Sequence, residues 1–110
     1  MKRLALAALL LAGPAHAETV RASWYRDNPG GRTGCGERFN PHGLTAASYR
    51  FACGTRLLVK LGGRQVTVRV NDRGPARWTH RAIDLSYGAA VQLHMIHAGL
   101  ARVQIRKISR

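Results

Sequence analysis

Acidic residues are scarce in this chain. Five Asp and Glu stand against eighteen Lys and Arg, for a formal net charge of +13. Any acid–base chemistry must therefore fall on very few carboxylates. Cysteine is also rare, with Cys35 and Cys53 alone. Two thiols make a poor zinc site, because structural zinc usually takes four ligands. The apolar run Leu4 to Leu11 is shorter than the roughly 20 residues a bilayer-spanning helix needs. Repeats, low-complexity tracts and an interdomain linker are all missing. With 110 residues, one domain is the limit.

What is there begins with an export pattern. Lys2 and Arg3 precede the apolar run, Gly13 and Pro14 break it, and Ala15-His16-Ala17 supplies small residues at a cleavage-type spacing. This predicts a secretory leader over 1–17 and a folded domain over 18–110. A buried N-terminal helix is the alternative. The lack of a cysteine near the expected cut argues against lipid attachment. In a periplasm or an external medium, an even pair of cysteines reads first as a disulfide. Closing the Cys35–Cys53 loop would contribute about 3 kcal/mol. The basic surface would steer polyanions. An exported protein rarely meets nucleic acid, so an anionic wall polymer or membrane surface fits better. A merely soluble cationic surface is the plain reading.

Short strands dominate the pattern. Thr19 to Tyr25 alternates, with Val20, Ala22 and Trp24 on one face and Arg21 and Ser23 on the other. Asn28-Pro29-Gly30-Gly31 marks a turn-rich stretch. Arg56 to Leu61 and Arg64 to Val70 flank Gly62-Gly63, which predicts a hairpin with Val66, Val68 and Val70 buried. Ser86 suits the cap of a short helix whose apolar side is Ala89, Ala90, Leu93 and Ile96, with Gly99 as its stop. Leu100 to Ile108 closes the chain as a strand, with Val103 and Ile105 inward. The class is all-β with one or two short helices, in a small closed barrel.

Six short runs then occur in order. They are Ala22-Ser23-Trp24-Tyr25, Gly36-Glu37-Arg38-Phe39-Asn40, Leu44-Thr45-Ala46-Ala47 and Gly54-Thr55-Arg56-Leu57. Val68-Arg69-Val70-Asn71-Asp72-Arg73-Gly74-Pro75 and Ile83-Asp84-Leu85-Ser86 complete the set. Each is weak alone. Together, across the whole domain, they resemble the rare lipoprotein A family of septal lytic transglycosylases. The resemblance implies a six-stranded double-psi β-barrel, related to barwin and to the first domain of expansins. It implies endolytic cleavage of the β-1,4 bond between N-acetylmuramic acid and N-acetylglucosamine in peptidoglycan, leaving 1,6-anhydromuramyl ends. Such chemistry suits a site poor in acids. One residue protonates the leaving oxygen and then takes a proton from the attacking muramyl hydroxyl, whereas hydrolases commonly need two carboxylates. The alternatives are an expansin-like module that binds or loosens wall polymer without cutting, and a secreted antimicrobial or inhibitor protein of barwin type. No cofactor is implied, and a monomer is expected.

Asp84 is the expected acid–base residue. In an extended segment Ile83 and Leu85 anchor one side and leave Asp84 on the other. Its competing role is an acid near a helix N-terminus. The resemblance marks Glu37 as a groove residue, possible as a second catalytic acid; a surface pair with Arg38 is the alternative. Asp72 reads as a turn acid bonded to nearby backbone, with groove lining as the second reading. Arg73 would grip a substrate oxygen or pin Asp72. Trp24 or Tyr25 would stack on a sugar, or be half-buried strand aromatics. Thr45 joins the expected substrate-binding set. Ser48 is a departure, because family members often carry histidine there. His42 and His80 are the candidates to compensate. His94 and His97, three apart at a helix end, make too small a set for a metal.

Overall fold

Alternating apolar residues set the barrel wall. The computed structural model describes residues 17–109, so the expected leader falls outside the described residues except for Ala17. The elements are β1 (Glu18–Tyr25), β2 (Thr45–Ala47), β3 (Arg56–Leu61), β4 (Arg64–Asp72), a 3-10 turn (Arg77–Thr79), β5 (Ile83–Ser86), α1 (Tyr87–Gln92) and β6 (Leu100–Ser109). Ala22, Leu57, Val59, Val68, Val70 and Ile83 face inward and are buried. Burying each such Leu, Val or Ile side chain favours folding by about 1.5–3 kcal/mol.

The sheet closes on itself in the order β1, β5, β2, β4, β3, β6. β3 and β4 form the expected hairpin, with Leu61 opposite Arg64. Two pairs are parallel, β1 with β5 and β2 with β4. This is a double-psi β-barrel. Closure gives every strand a neighbour on both sides, which leaves few open edges among the described residues.

Two boundaries differ from the sequence pattern. β4 runs on to Asp72, because Asp72 pairs with Ala47 across a register shift that leaves Asn71 of β4 as the extra residue. The helix stops at Gln92, well before Gly99. His94 takes the left-handed conformation, at φ 56°. Its N–H donates to the Val91 carbonyl, and the Met95 N–H donates to the Ala90 carbonyl, both at 3.1 Å. That pair of hydrogen bonds is a Schellman ending, in which a residue beyond the turn packs back on the helix. Here the residue is Met95, which is fully buried. Gly99, at φ 72°, instead turns the chain into β6. His94 and His97 therefore lie past the helix and do not share a helical face.

Candidate active-site groove

Asp84 occupies the middle of β5. Ile83 and Leu85 are fully buried on the barrel side, so alternation turns Asp84 outward. Its side chain remains 17% exposed. The Ser23 hydroxyl donates to Asp84 Oδ1 across the β1–β5 pairing. Arg81 Nε donates to the same oxygen at 3.4 Å.

Ala47 brings a second acid close. It pairs with Asp84 on one side and with Asp72 on the other. Their backbones are thus two strand spacings apart, roughly 10 Å. Both acids line one open groove of about 360 Å³, with Tyr25, Ala47, Gly74 and Pro75. Asp72 is tightly held. Its Oδ1 accepts from the N–H of Gly34 at 2.7 Å and of Arg73 at 2.8 Å, and its Oδ2 accepts from the Tyr25 hydroxyl at 2.9 Å. Burial first, then the bond and charge of Asp72 and the charge of Asp84, push the Tyr25 phenol well above its usual range. Tyr25 therefore stays a donor. Its ring stacks on Phe39 with centroids 4.7 Å apart.

The long connection from β1 to β2 is fixed against this groove. Cys35 and Cys53 form a disulfide. Arg73 lies beneath the loop. Its guanidinium donates to the carbonyls of Ser48 at 2.6 Å and Phe51 at 2.7 Å, and to Cys53 Sγ at 2.8 Å. Gly34 packs so closely on Arg73 that a Cβ there would meet Arg73 Cγ at 2.8 Å. So Arg73 lines the groove, but its charged end is engaged by the loop.

Glu37 does not pair with Arg38. It makes a two-pronged ion pair with Arg69, at 2.8 and 2.9 Å, and accepts from Asn71 Nδ2 at 3.0 Å. Arg69's hydrogen bonds first, then Asn71's, lower its carboxyl to about 2. Glu37 is charged at neutral pH and is not among the residues lining the groove with Asp84. Trp24 packs edge-on against Tyr87 at 5.5 Å, and its indole N–H reaches the Ile96 carbonyl at 3.4 Å, away from the groove. Thr45 is buried, with no partner for its hydroxyl among the described residues. Ser48 is buried too, and its Oγ accepts from the Arg50 N–H at 3.0 Å. His42 packs edge-on to Tyr87 at 5.9 Å, whereas His80 lies in a hollow adjoining the groove. Tyr49 lines both spaces. The sequence pattern passed over it because its loop has no periodicity. Among the described residues, no group of three or more His, Cys, Asp or Glu is placed to hold a metal, and no helix is long and apolar enough to cross a membrane.

A closed double-psi barrel with two acids on one groove defines the structural class. A family model described as "Lytic transglycolase" matches residues 17–105. The chain belongs to the rare lipoprotein A-like family of double-psi β-barrel domains. It is 49% identical over 94 residues to the "Probable endolytic peptidoglycan transglycosylase RlpA" of Nostoc sp., covering 81% of this chain and 25% of the relative. It is 48% identical over 90 residues to the "Endolytic peptidoglycan transglycosylase RlpA" of Campylobacter jejuni, covering 79% and 32%. The chain thus spans a third or less of these two relatives. Among solved structures, a Streptomyces papain inhibitor aligns with a TM-score of 0.70 at 20% identity, over 84% of this chain and 94% of that one. An expansin of Clavibacter michiganensis aligns at 0.68 and 23% identity, over 84% and 50%. These two share the fold.

Proposed function

We propose that this domain is an exported endolytic lytic transglycosylase acting on peptidoglycan glycan strands, with Asp84 as its single acid–base residue. The observation that carries this reading is Asp84 itself. It is a partly exposed carboxylate on a groove, held by a rigid strand rather than a loop. In the proposed reaction Asp84 gives its proton to the oxygen that links the muramyl C1 to the next sugar. The C1–O bond breaks and the sugar leaves as an alcohol. The muramyl 6-hydroxyl then bonds to C1, and its proton returns to Asp84. No water is consumed.

Asp72 argues for this route over hydrolysis. A hydrolase needs a second carboxylate free to activate water or attack C1. Asp72 already accepts three hydrogen bonds, so its proposed task is to fix Tyr25 and the Gly34 loop along the groove. Glu37, charged and clamped by Arg69, is a poor proton donor. It suits a positioning role for the loop hairpin. The leader pattern and the disulfide support export. The relatives' names support the substrate.

A wall-binding module without catalysis is the second reading. Ser48 at the family histidine position favours it, as does the expansin likeness; a mutant of that expansin is described in complex with cellohexaose. Purified sacculi separate the two. Mass spectrometry is expected to find 1,6-anhydromuropeptides with the native chain, and a loss of roughly 10²–10⁴-fold in their rate with Asp84→Asn. Products that persist in Asp84→Asn and vanish in Asp72→Asn would move the role to Asp72. Binding without products would establish the second reading.

A further inference from the structure

The groove continues past Asp84. Tyr49, Gly74 and Pro75 also line a second hollow, of about 370 Å³, completed by Arg50, Arg77, His80 and Arg81. Its lining is strongly basic and includes no carboxylate. Arg50 is paired with Glu18 at 2.6 Å, and Arg81 with Asp84 at 3.4 Å. Arg77 has no carboxylate partner among the described residues, and its guanidinium lies 6.0 Å from the Tyr49 ring centroid. A guanidinium left open at the mouth of a concave site is suited to a carboxylate, which it can take with two parallel bonds. The next residue, Trp78, lies beside that lining rather than in it and is 81% exposed. So large a ring, turned to water, packs no core; it offers a flat face for a sugar ring. The turn carrying both residues is fixed. His80 closes it at φ 59°, with its N–H donated to the Arg77 carbonyl at 3.1 Å. A non-glycine residue in that region is uncommon and carries a conformational cost, a feature that clusters at functional sites.

We propose that the connection between β4 and β5 is a subsite for a carboxylate-bearing sugar residue beside the bond to be cut. Arg77 holds the carboxylate, and Trp78 stacks on the sugar. The inference rests on the glycan-strand reading above and assigns recognition of its muramyl residue to Arg77 and Trp78. The carboxylate belongs either to the lactyl group of a peptide-free muramyl residue or to an attached peptide.

Calorimetric titration of the Asp84→Asn chain, which leaves strands intact, tests this with three probes. They are chitohexaose, soluble peptide-free glycan strands and peptide-bearing strands. Strands with carboxylates are expected to bind about tenfold more tightly than chitohexaose, and Arg77→Gln to erase most of that preference. Trp78→Ala is expected to weaken all three. Both side chains are exposed, so these variants should keep the fold, and circular dichroism checks that they do. A preference for both kinds of strand assigns the lactyl carboxylate; a preference for peptide-bearing strands alone assigns the peptide. Equal affinity for charged and neutral strands, or an Arg77→Gln chain that binds like its parent, overturns the subsite. Cleavage is read separately with the native chain. Anhydro products without carboxylate preference would refute the subsite alone, and carboxylate-dependent binding without products would refute the cleavage reading alone.

Discussion

Asp84 and Glu37 show how differently two carboxylates can be placed in one small barrel. Asp84 meets one hydroxyl and one long guanidinium contact, and stays at the groove. Glu37 meets Arg69 and Asn71 and is lowered to about 2. Its side chain is 40% exposed, so screening by water limits the pair to about 1 kcal/mol of stability. The depressed value sets the sign. The contribution is whole above about 4.5, the ordinary range, and is lost as pH falls toward about 2. Thermal melting followed against pH is expected to show an acid limb that flattens in Glu37→Gln; identical limbs would show that the pair does not matter. Asp84 was legible in the sequence because a lone acid between Ile83 and Leu85 can only face away from them in a strand. Glu37's partner was not. Arg69 lies 32 positions away, and only the folded loop brings the two together.

Elements supply the rigidity that these residues need. The valine alternation in β4 revealed the hairpin, and Ser86 revealed the helix start, where its Oγ accepts from the Ala89 N–H at 3.2 Å. The helix ends before the glycine that the sequence offers as its stop, because glycine signals a stop only if nothing earlier forces one. The burial of Met95 forces one at His94. Replacing His94 by Gly is therefore expected to stabilise the domain by about 1 kcal/mol, raising Tm by roughly 4–8 °C. A lower Tm would mean that the histidine side chain contributes more than its backbone costs. The Cys35–Cys53 bond ties the β1–β2 connection to the segment before β3. Its reduction is expected to cost about 3 kcal/mol and to weaken binding to sacculi by loosening the loop that meets Asp72 through Gly34. Unchanged melting under reductant would contradict this.

At the scale of the whole molecule, hydrophobic pattern alone pointed to a small barrel but not to its topology. β2 has three residues, Thr45–Ala47, too few for a periodic signal. Yet its Ala47 is the residue that places Asp72 and Asp84 on either side. The family resemblance carried by the short runs implied that topology; pattern could not, since the parallel β1–β5 and β2–β4 pairs join segments far apart in the chain. The proposed subsite at Arg77 and Trp78 was invisible for a similar reason: a basic, aromatic loop resembles any solvated surface until Arg77 is seen to line a hollow. In the proposed reaction one acid suffices because the glycan strand supplies its own nucleophile. Digestion of sacculi in water enriched in oxygen-18 distinguishes this from attack by water. The expected products are 1,6-anhydromuramyl ends free of the label. Reducing muramyl ends that carry oxygen-18 would show that water attacks instead and that the enzyme is a hydrolase.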